Sequence, residues 1–366
     1  MKTSTIDILM AGTRSCTGTC VYCASANQKD VYRSNILQDT ADNTYKEVQF
    51  DFDKLENTLK DYNRFNKADL VKLVIWGADP VSCFYALQDT VDFLEYMSEK
   101  YNKQIRLSTS TNGLPIKEDK TVDYLNAHNI ALQLSHDGVA EELRLPIDPL
   151  IEYQENFKRL NYVFINCVAH GYNTDFAANI EYFNKWAVSW AKDIRFSKPM
   201  IGANWSNSIN KTGFKDGKHY EELKGTIFGD FGIHEEDVDK YIQAIMHLPK
   251  PYRFNLPIDD INFFRTPLNN CGKYATHIEE ISSHIDTLGN FTVCNLVDSL
   301  GILGNPEMKR QFDECDKCIY KNSMVCTGCC INEPESTIHE KCIFNKRLNS
   351  AIAHHLLFDR RPIKQH

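Results

Sequence analysis

Cysteine spacing gives the first indication of chemistry in this chain of 366 residues. Cys16, Cys20 and Cys23 fall within the stretch "CTGTCVYC", directly after the apolar run "IDILMAG". Three thiolates can bind three irons of a four-iron cluster and leave the fourth iron open to a small molecule. The alternatives are a zinc site that lacks one ligand and a group of buried thiols, although three cysteines this close rarely all face a core. The trio is therefore predicted to bind metal.

A second group of cysteines lies further along the chain and is also predicted to bind metal. Its Cys-x2-Cys-x7-Cys-x2-Cys spacing suits a zinc ribbon-like site as well as iron. The total of thirteen cysteines is odd, which argues against a complete set of internal disulfides, and Cys83 and Cys167 stand alone. The members of this second group are Cys271, Cys294, Cys315, Cys318, Cys326, Cys329, Cys330 and Cys342.

Composition narrows the classes of function and the compartment. The net charge of −8 and the pI of about 5.9 make nucleic acid an unlikely partner, because phosphate binding needs a basic face. No stretch approaches the roughly 18 apolar residues of a membrane span. The first residues have the pattern of a strand, without the features of an export signal. We therefore expect a cytoplasmic protein without membrane segments, whose thiols stay reduced and are available to metal.

Alternating strand and helix patterns predict the scaffold that positions these residues. The stretch "DFDKLENTLKDYNRF" has Asp51 as a helix N-cap and apolar residues at helical spacing. Strands alternating with such segments predict an α/β fold with a parallel sheet. Periodicity alone leaves open whether that sheet is doubly wound or curled into a partial barrel. The six predicted strands are 5–11, 70–77, 104–111, 130–136, 162–170 and 193–199.

Motifs at the ends of the predicted strands resemble those of the radical S-adenosylmethionine (radical SAM) superfamily. The trio has the Cys-x3-Cys-x-aromatic-Cys form, with Tyr22 as the aromatic residue. The stretch "IWGADP" resembles the Gly-Gly-Glu-Pro motif, whose backbone meets the amino group of SAM, although Ala78 and Asp79 depart from it. The stretches "STNG" and "LSHDG", after the third and fourth strands, also resemble family positions. The resemblance implies a SAM site formed by Tyr22, Gly77, Ala78, Asp79, Asn112, Ser135 and Arg144.

The resemblance also implies a fold, a reaction and a set of partners. The fold is α/β, a partial (β/α)6 TIM-like barrel over residues 1–200, followed by a small cysteine-rich SPASM-like domain. A bridging segment would span 201–265, the SPASM-like domain 266–345, and a C-terminal helix and tail 346–366. A [4Fe-4S] cluster bound to SAM would donate one electron and release a 5′-deoxyadenosyl radical that removes hydrogen from a substrate. An electron donor such as flavodoxin or ferredoxin would reduce the cluster.

The stretch "LGNFTVCNLVDSLGILGN" (288–305) resembles part of the SPASM extension, in which cysteines hold auxiliary [4Fe-4S] clusters. The resemblance implies one or two such clusters. His277 stands where the family has a further cysteine, so the auxiliary cluster that begins with Cys271 is either completed by His277 or keeps an open iron. By order along the chain, Cys315, Cys318, Cys326 and Cys342 would bind one cluster, and Cys271, Cys294 and Cys330 the other, with Cys329 as the competing choice.

SPASM-type enzymes mostly modify peptides or proteins, by oxidation, crosslinking or epimerisation of a side chain. Sulfatase-maturing members have a catalytic Asp after the motif cysteine, but Asn295 occupies that position here, and Asp298 is the nearest carboxylate. An amide cannot accept the proton, so a straightforward dehydrogenation of a serine or cysteine is disfavoured, and Asp298 is the candidate catalytic carboxylate. Cys167 is a candidate hydrogen donor for epimerisation, the alternative being a small buried thiol. Modification of a small molecule or nucleotide, and a zinc-stabilised binding module without activity, remain the other hypotheses.

Overall fold

The computed structural model describes residues 2–12, 16, 18, 48–168, 170, 173–197, 237–254 and 284–292, and helical residues 346–348, 350–351 and 353–354. Within these ranges the fold centres on a single sheet of parallel strands. The six strands predicted from the sequence are all present, which confirms the α/β class. The strands are β1 (Thr3–Leu9), β2 (Leu70–Trp76), β3 (Gln104–Thr111), β4 (Ala131–His136), β5 (Val163–Cys167), β6 (Asp193–Phe196), β7 (Tyr252–Phe254) and β8 (His284–Asp286).

Two further strands extend the sheet beyond the predicted six. β7 pairs with β6, and β8 pairs with the opposite edge at β1. Both have three residues, which is too short for a period-two pattern to be recognised. They come from parts of the chain after residue 200, so the sheet draws on more sequence than the range predicted for the barrel. The predicted division into four segments stays a prediction.

The strand order identifies a barrel-type sheet. The order is β7-β6-β5-β4-β3-β2-β1-β8, so each strand from β2 to β7 lies beside the strand that precedes it in the sequence. A doubly wound sheet reverses direction after its first strands and places helices on both faces. Because parallel crossovers are right-handed, a sheet that always advances in one direction collects its helices on one face and curls around the other. The predicted partial barrel is therefore confirmed, and among the described strands the sheet is open.

Helices and short 3-10 turns connect the strands. Asp51 begins the first helix as predicted, because its Oδ1 accepts a hydrogen bond of 3.0 Å from the Lys54 N–H. Short 3-10 helices follow three strands at their carboxyl ends: Pro80–Cys83, Leu114–Lys117 and Gly138–Leu143. The helices are α1 (Phe52–Asp61), α2 (Asn63–Asn66), α3 (Phe84–Lys100), α4 (Asp119–Ala127), α5 (Pro149–Glu152), α6 (Gln154–Arg159), α7 (Phe176–Trp186) and α8 (Val238–Met246).

The two faces of the sheet differ in chemistry. On the helix-covered face, the register partners Leu134 and Ile165 are fully buried and belong to one apolar cluster with helix residues such as Leu87. Each such side chain contributes about 1.5–3 kcal/mol to stability when it leaves water. The opposite face, which we call the inner face, carries polar or charged side chains that are half-buried or exposed, including Lys72 and Arg106. No helix among the described residues has the length and apolar character needed to cross a bilayer.

Candidate active site at the carboxyl ends of the strands

The loops that follow β1, β2 and β3 meet at the carboxyl edge of the sheet. They carry Cys16, the "GADP" stretch and the "STNG" stretch respectively. Hydrogen bonds join all three loops, since Asn112 lies between Cys16 and Asp79. Ligand sites of parallel barrels form at this edge, because the loops converge there. Three of the four predicted motifs are thus in direct contact through their described residues.

Cys16 is a half-buried thiol that receives hydrogen-bond donors from two directions. The Gly18 N–H lies 3.4 Å from its Sγ, and the Asn112 Nδ2 lies 3.6 Å from the same sulfur. Donors around a sulfur stabilise the anionic form, which is the form that binds metal. This environment fits a cysteine that serves as a ligand of an iron–sulfur cluster.

Asp79 joins the loop after β2 to the loop after β3. Its Oδ2 accepts from the Asn112 N–H at 3.1 Å and from the Thr111 hydroxyl at 3.3 Å. Its Oδ1 accepts from the Ser82 N–H at 3.3 Å, at the start of a 3-10 helix. Burial raises the pKa of this carboxyl to about 6, although the same hydrogen bonds act to lower it. The side chain therefore holds two loops together, a role that the resemblance did not imply.

Gly77 and Ala78 lie half-buried at the end of β2, where the resemblance places the contact with the amino group of SAM. Among the described non-glycine residues, positive φ occurs at Asn102 and Asn129 and not at Ala78. The backbone at Ala78 therefore has no need of the glycine that the family has at this position. Their contact with SAM stays a prediction.

The "STNG" turn fixes the side chain of Asn112. Gly113 has φ +96°, and a Cβ there would lie 2.8 Å from Leu134 Cδ1, so glycine is required. The Leu114 N–H donates to Asn112 Oδ1 at 2.9 Å. Asn112 is 4% exposed, and its Nδ2 is directed to Cys16. Asn112 is thus at the edge where it was predicted, with its amide directed at Cys16.

Ser135 lies on the inner face near the end of β4 and is half-buried. Its register partners across β5, β6 and β7 are Asn166, Arg195 and Arg253, which form a polar row. The Arg195 guanidinium pairs with Asp193 at 3.0 Å and lies 4.3 Å from the centre of the Phe164 ring. Arg195 was not predicted from the sequence, because an arginine in a short strand has no motif around it.

Arg144, which the resemblance places in the SAM site, is 4% exposed and lies within a group of acidic side chains. Its Nη1 is 3.6 Å from Glu141 Oε2 and 3.8 Å from Asp137 Oδ1. The guanidinium therefore compensates two buried carboxylates. Its contact with SAM stays a prediction.

This group belongs to a buried polar network that the sequence analysis missed. His136 Nδ1 lies 3.4 Å from Glu141 Oε2, and His170 Nε2 lies 3.2 Å from Asp137 Oδ2. Burial raises the pKa of Glu141 to about 7, although His136 and Arg144 act to lower it. A cavity of about 300 Å³ lies beside the network, with Glu141 in its lining. In the sequence, the many ionisable residues in "HDGVAEELRLPID" were the feature that could have indicated this network.

Cys167 lies on the helix-covered face of β5, opposite His136 in the register. It is fully buried, with Asn173 Nδ2 at 3.8 Å from its sulfur, and burial raises the pKa of the thiol well above its usual value. This is the environment expected of the structural alternative, a small buried thiol. In the sequence, Val163, Ile165 and Cys167 occupy every second position of the strand, which indicates that Cys167 faces the helices together with the two apolar residues. Its role as a hydrogen donor stays a prediction.

Several predicted site residues lie outside the described residues, and their roles stay predictions. They are Cys20, Tyr22 and Cys23 in the first group, the later cysteines Cys271, Cys294, Cys315, Cys318, Cys326, Cys329, Cys330 and Cys342, and His277, Asn295 and Asp298.

Comparison with known proteins gives structural likeness only. No family model and no curated protein sequence matches the chain. Native anSMEcpe with bound AdoMet and the Cp18Cys peptide superposes with a TM-score of 0.52 at 15% identity, over 98% of each chain. Histidine-tagged anSMEcpe with bound AdoMet gives 0.53 at 15% identity, again over 98% of each chain. Native anSMEcpe with bound AdoMet and the Kp18Cys peptide gives 0.51 at 14% identity, over 97% of this chain and 98% of that chain. In its described residues the chain shares the fold of anSMEcpe, a radical SAM protein.

Proposed function

We propose that this chain is a radical SAM enzyme that modifies a peptide or protein side chain. It would cleave SAM reductively and use the 5′-deoxyadenosyl radical to abstract hydrogen from that side chain. The observation that carries this proposal is the contact of three motif loops at one edge of the sheet, with Asn112 hydrogen-bonded to both Cys16 and Asp79. The fold shared with anSMEcpe, which is seen with bound AdoMet, supports the same conclusion.

Cys16, together with Cys20 and Cys23, would hold a [4Fe-4S] cluster. The donors around the Cys16 sulfur fit an anionic ligand. When bound, the cluster supplies the single electron that cleaves SAM. The later cysteines would hold one or two auxiliary clusters that accept electrons or bind substrate, and a flavodoxin or ferredoxin would be the electron donor in the cytoplasm.

The protein's own residues would bind and orient SAM at the carboxyl edge. The backbone of Gly77 and Ala78 would receive the amino group, and Asp79 keeps that loop against β3 through its hydrogen bonds to Thr111 and Asn112. Ser135 lies on the inner face, where its hydroxyl is available to the ribose or the carboxylate of SAM. Positioning of this kind is the protein's contribution to cofactor chemistry.

A peptide substrate is supported by two features. The inner face is polar, with Asn166 and Arg195 beside Ser135, and so can pair with backbone and side-chain groups of a peptide. The protein anSMEcpe, whose fold this chain shares, is seen with a bound peptide. The outcome at the substrate would be oxidation, a crosslink or epimerisation.

The test is anaerobic incubation of the reconstituted protein with SAM and dithionite. We expect release of 5′-deoxyadenosine, and we expect the variant Cys20→Ala to abolish it while iron remains at the later cysteines. Cys83→Ala, which removes a buried thiol outside both groups, is the matched control and should retain the activity. Zinc without iron in the purified protein would overturn the proposal, as would full turnover by Cys20→Ala.

Adding candidate peptides and recording mass spectra then identifies the reaction. A loss of two hydrogens indicates oxidation or a crosslink, which fragmentation of the peptide then distinguishes, and an unchanged mass with deuterium uptake from solvent indicates epimerisation. If a modified product forms only when a small molecule or nucleotide is added with SAM, the proposed peptide substrate is wrong and that compound is the substrate.

A further inference from the structure

The side-chain amide of Asn112 makes a direct contact with the metal-binding loop. Its Nδ2 lies 3.6 Å from the Cys16 sulfur, although the two residues are 96 positions apart in the sequence. Asn112 is 4% exposed, so water competes little for this contact.

The orientation of the amide follows from its other contacts. An oxygen or a nitrogen of asparagine can occupy the same position, and the hydrogen-bond partners decide between them. The Leu114 N–H donates at 2.9 Å and therefore requires the oxygen on its side. The nitrogen must then face Cys16, and its N–H donates to the sulfur. The backbone of Asn112 is held by Asp79, which accepts from the Asn112 N–H at 3.1 Å.

We propose that Asn112 is a positioning residue that raises the reduction potential of the cluster bound through Cys16. Reduction adds one electron, taken from a one-electron donor such as flavodoxin, and places more negative charge on the cysteine sulfurs. An N–H donor stabilises the reduced form more than the oxidised form, so the potential rises. This inference depends on the proposed function, because it needs an iron–sulfur cluster at Cys16. It gives Asn112 a role toward the cluster, in addition to the SAM contact implied by the resemblance.

Two substitutions separate this role from that of merely holding the loop. Asn112→Ala removes both the donor to sulfur and the acceptor of the Leu114 N–H. Asn112→Asp keeps an acceptor for Leu114 but places a carboxylate against the sulfur. If Asn112 only held the loop, Asn112→Ala would weaken the loop but leave the midpoint at the wild-type value, and Asn112→Asp would lower the midpoint only through its added charge. If it raises the potential, Asn112→Asp should lower the potential further than Asn112→Ala does.

The measurement is the midpoint potential, followed through the electron paramagnetic resonance signal of the reduced cluster. The signal of the N-terminal cluster is the one that disappears in Cys20→Ala. For Asn112→Ala we expect the ratio of reduced to oxidised cluster at a fixed potential to fall about tenfold. A tenfold change in a one-electron couple is about 59 mV. Asn126→Ala, which removes an exposed amide that donates to the Arg159 carbonyl, should leave the midpoint unchanged.

The outcomes distinguish this inference from the proposed function. A wild-type midpoint in Asn112→Ala, whatever the midpoint of Asn112→Asp, would overturn the role in setting the potential, and so would a shift in Asn112→Ala alone. Loss of the cluster from both variants would also overturn it, since three thiolates should hold the cluster without the amide. A wild-type protein without a reducible cluster at the N-terminal cysteines would instead overturn the proposed function.

Discussion

Asp79 is a buried carboxylate that accepts hydrogen bonds from Ser82, Thr111 and Asn112. At 2% exposure it lies too deep for water to solvate its charge, and these donors replace only part of that solvation. This balance explains a pKa of about 6, compared with 3.8 for an ordinary aspartate. A group with this property makes the stability of the candidate site depend on pH.

Asp79 should lower the stability of the protein as the pH rises from about 4 to 6. In this window the folded protein keeps a proton that the unfolded chain has lost, so the free energy of unfolding falls with increasing pH. A shift from 3.8 to about 6 corresponds to about 3 kcal/mol. We expect Asp79→Asn to remove this contribution, so its melting temperature should fall less between pH 4.5 and pH 7 than that of the wild type.

Asp123→Asn is the control for that experiment, because Asp123 is an exposed aspartate in an ion pair with Arg159. Its pH dependence should match the wild type. The buried Glu141 is present in all three proteins and contributes equally to each. An identical pH dependence in Asp79→Asn and the wild type would contradict the raised pKa.

Among the connecting elements, the turn after β4 depends on one glycine. Gly138 has φ +63°, and a Cβ at this position would lie 1.9 Å from Asn179 Oδ1. That oxygen accepts from the Val139 N–H, and the same amide donates to the carbonyls of Asn173 and Asp175. The amide therefore cannot rotate away without losing hydrogen bonds that join the turn to α7.

Gly138→Ala should reduce the free energy of unfolding by about 3 kcal/mol or more. The left-handed backbone costs about 1–2 kcal/mol for a residue with a Cβ, and each lost hydrogen bond adds about 1 kcal/mol. Chemical denaturation of both proteins measures the difference. Val139→Ala, at the exposed next residue, should change stability by less than about 0.5 kcal/mol. Equal stability of Gly138→Ala and the wild type would mean that the turn can move to accommodate the methyl group.

At the scale of the whole molecule, a segment late in the chain is part of the barrel's first edge. β8 pairs with β1, and the turn after it contacts both the loop after β1 and α1. Thr287 is fully buried there, where its Oγ1 accepts from the Ala11 N–H at 2.9 Å and donates to the Gln49 carbonyl at 2.6 Å. Ala11 precedes Cys16 by five residues, so this contact also holds the start of the loop that carries Cys16.

Thr287→Val should therefore destabilise the whole protein. Valine has nearly the same shape but leaves the buried Ala11 N–H and the partly buried Gln49 carbonyl without this partner, at a cost of about 1–3 kcal/mol. Thermal unfolding provides the measurement. Thr5→Val, at an exposed position on β1, should have little effect and controls for the loss of a hydroxyl. If both variants melt like the wild type, the late segment does not support the barrel.

The order of elements and the position of the motifs follow from the sequence alone. Period-two and helical patterns identified six strands and the Asp51 cap, because these depend on local residues. Parallel strands end at one edge, so motifs that follow them had to converge. Side-chain orientation and the pairing of distant residues depend on packing, and only the tertiary structure decided them. The pairing of β8 with β1 and the contact of Asn112 with Cys16 are of this kind. The physical reason is that a local pattern defines an element, whereas contacts between residues far apart in the chain depend on how the crossovers bring the elements together.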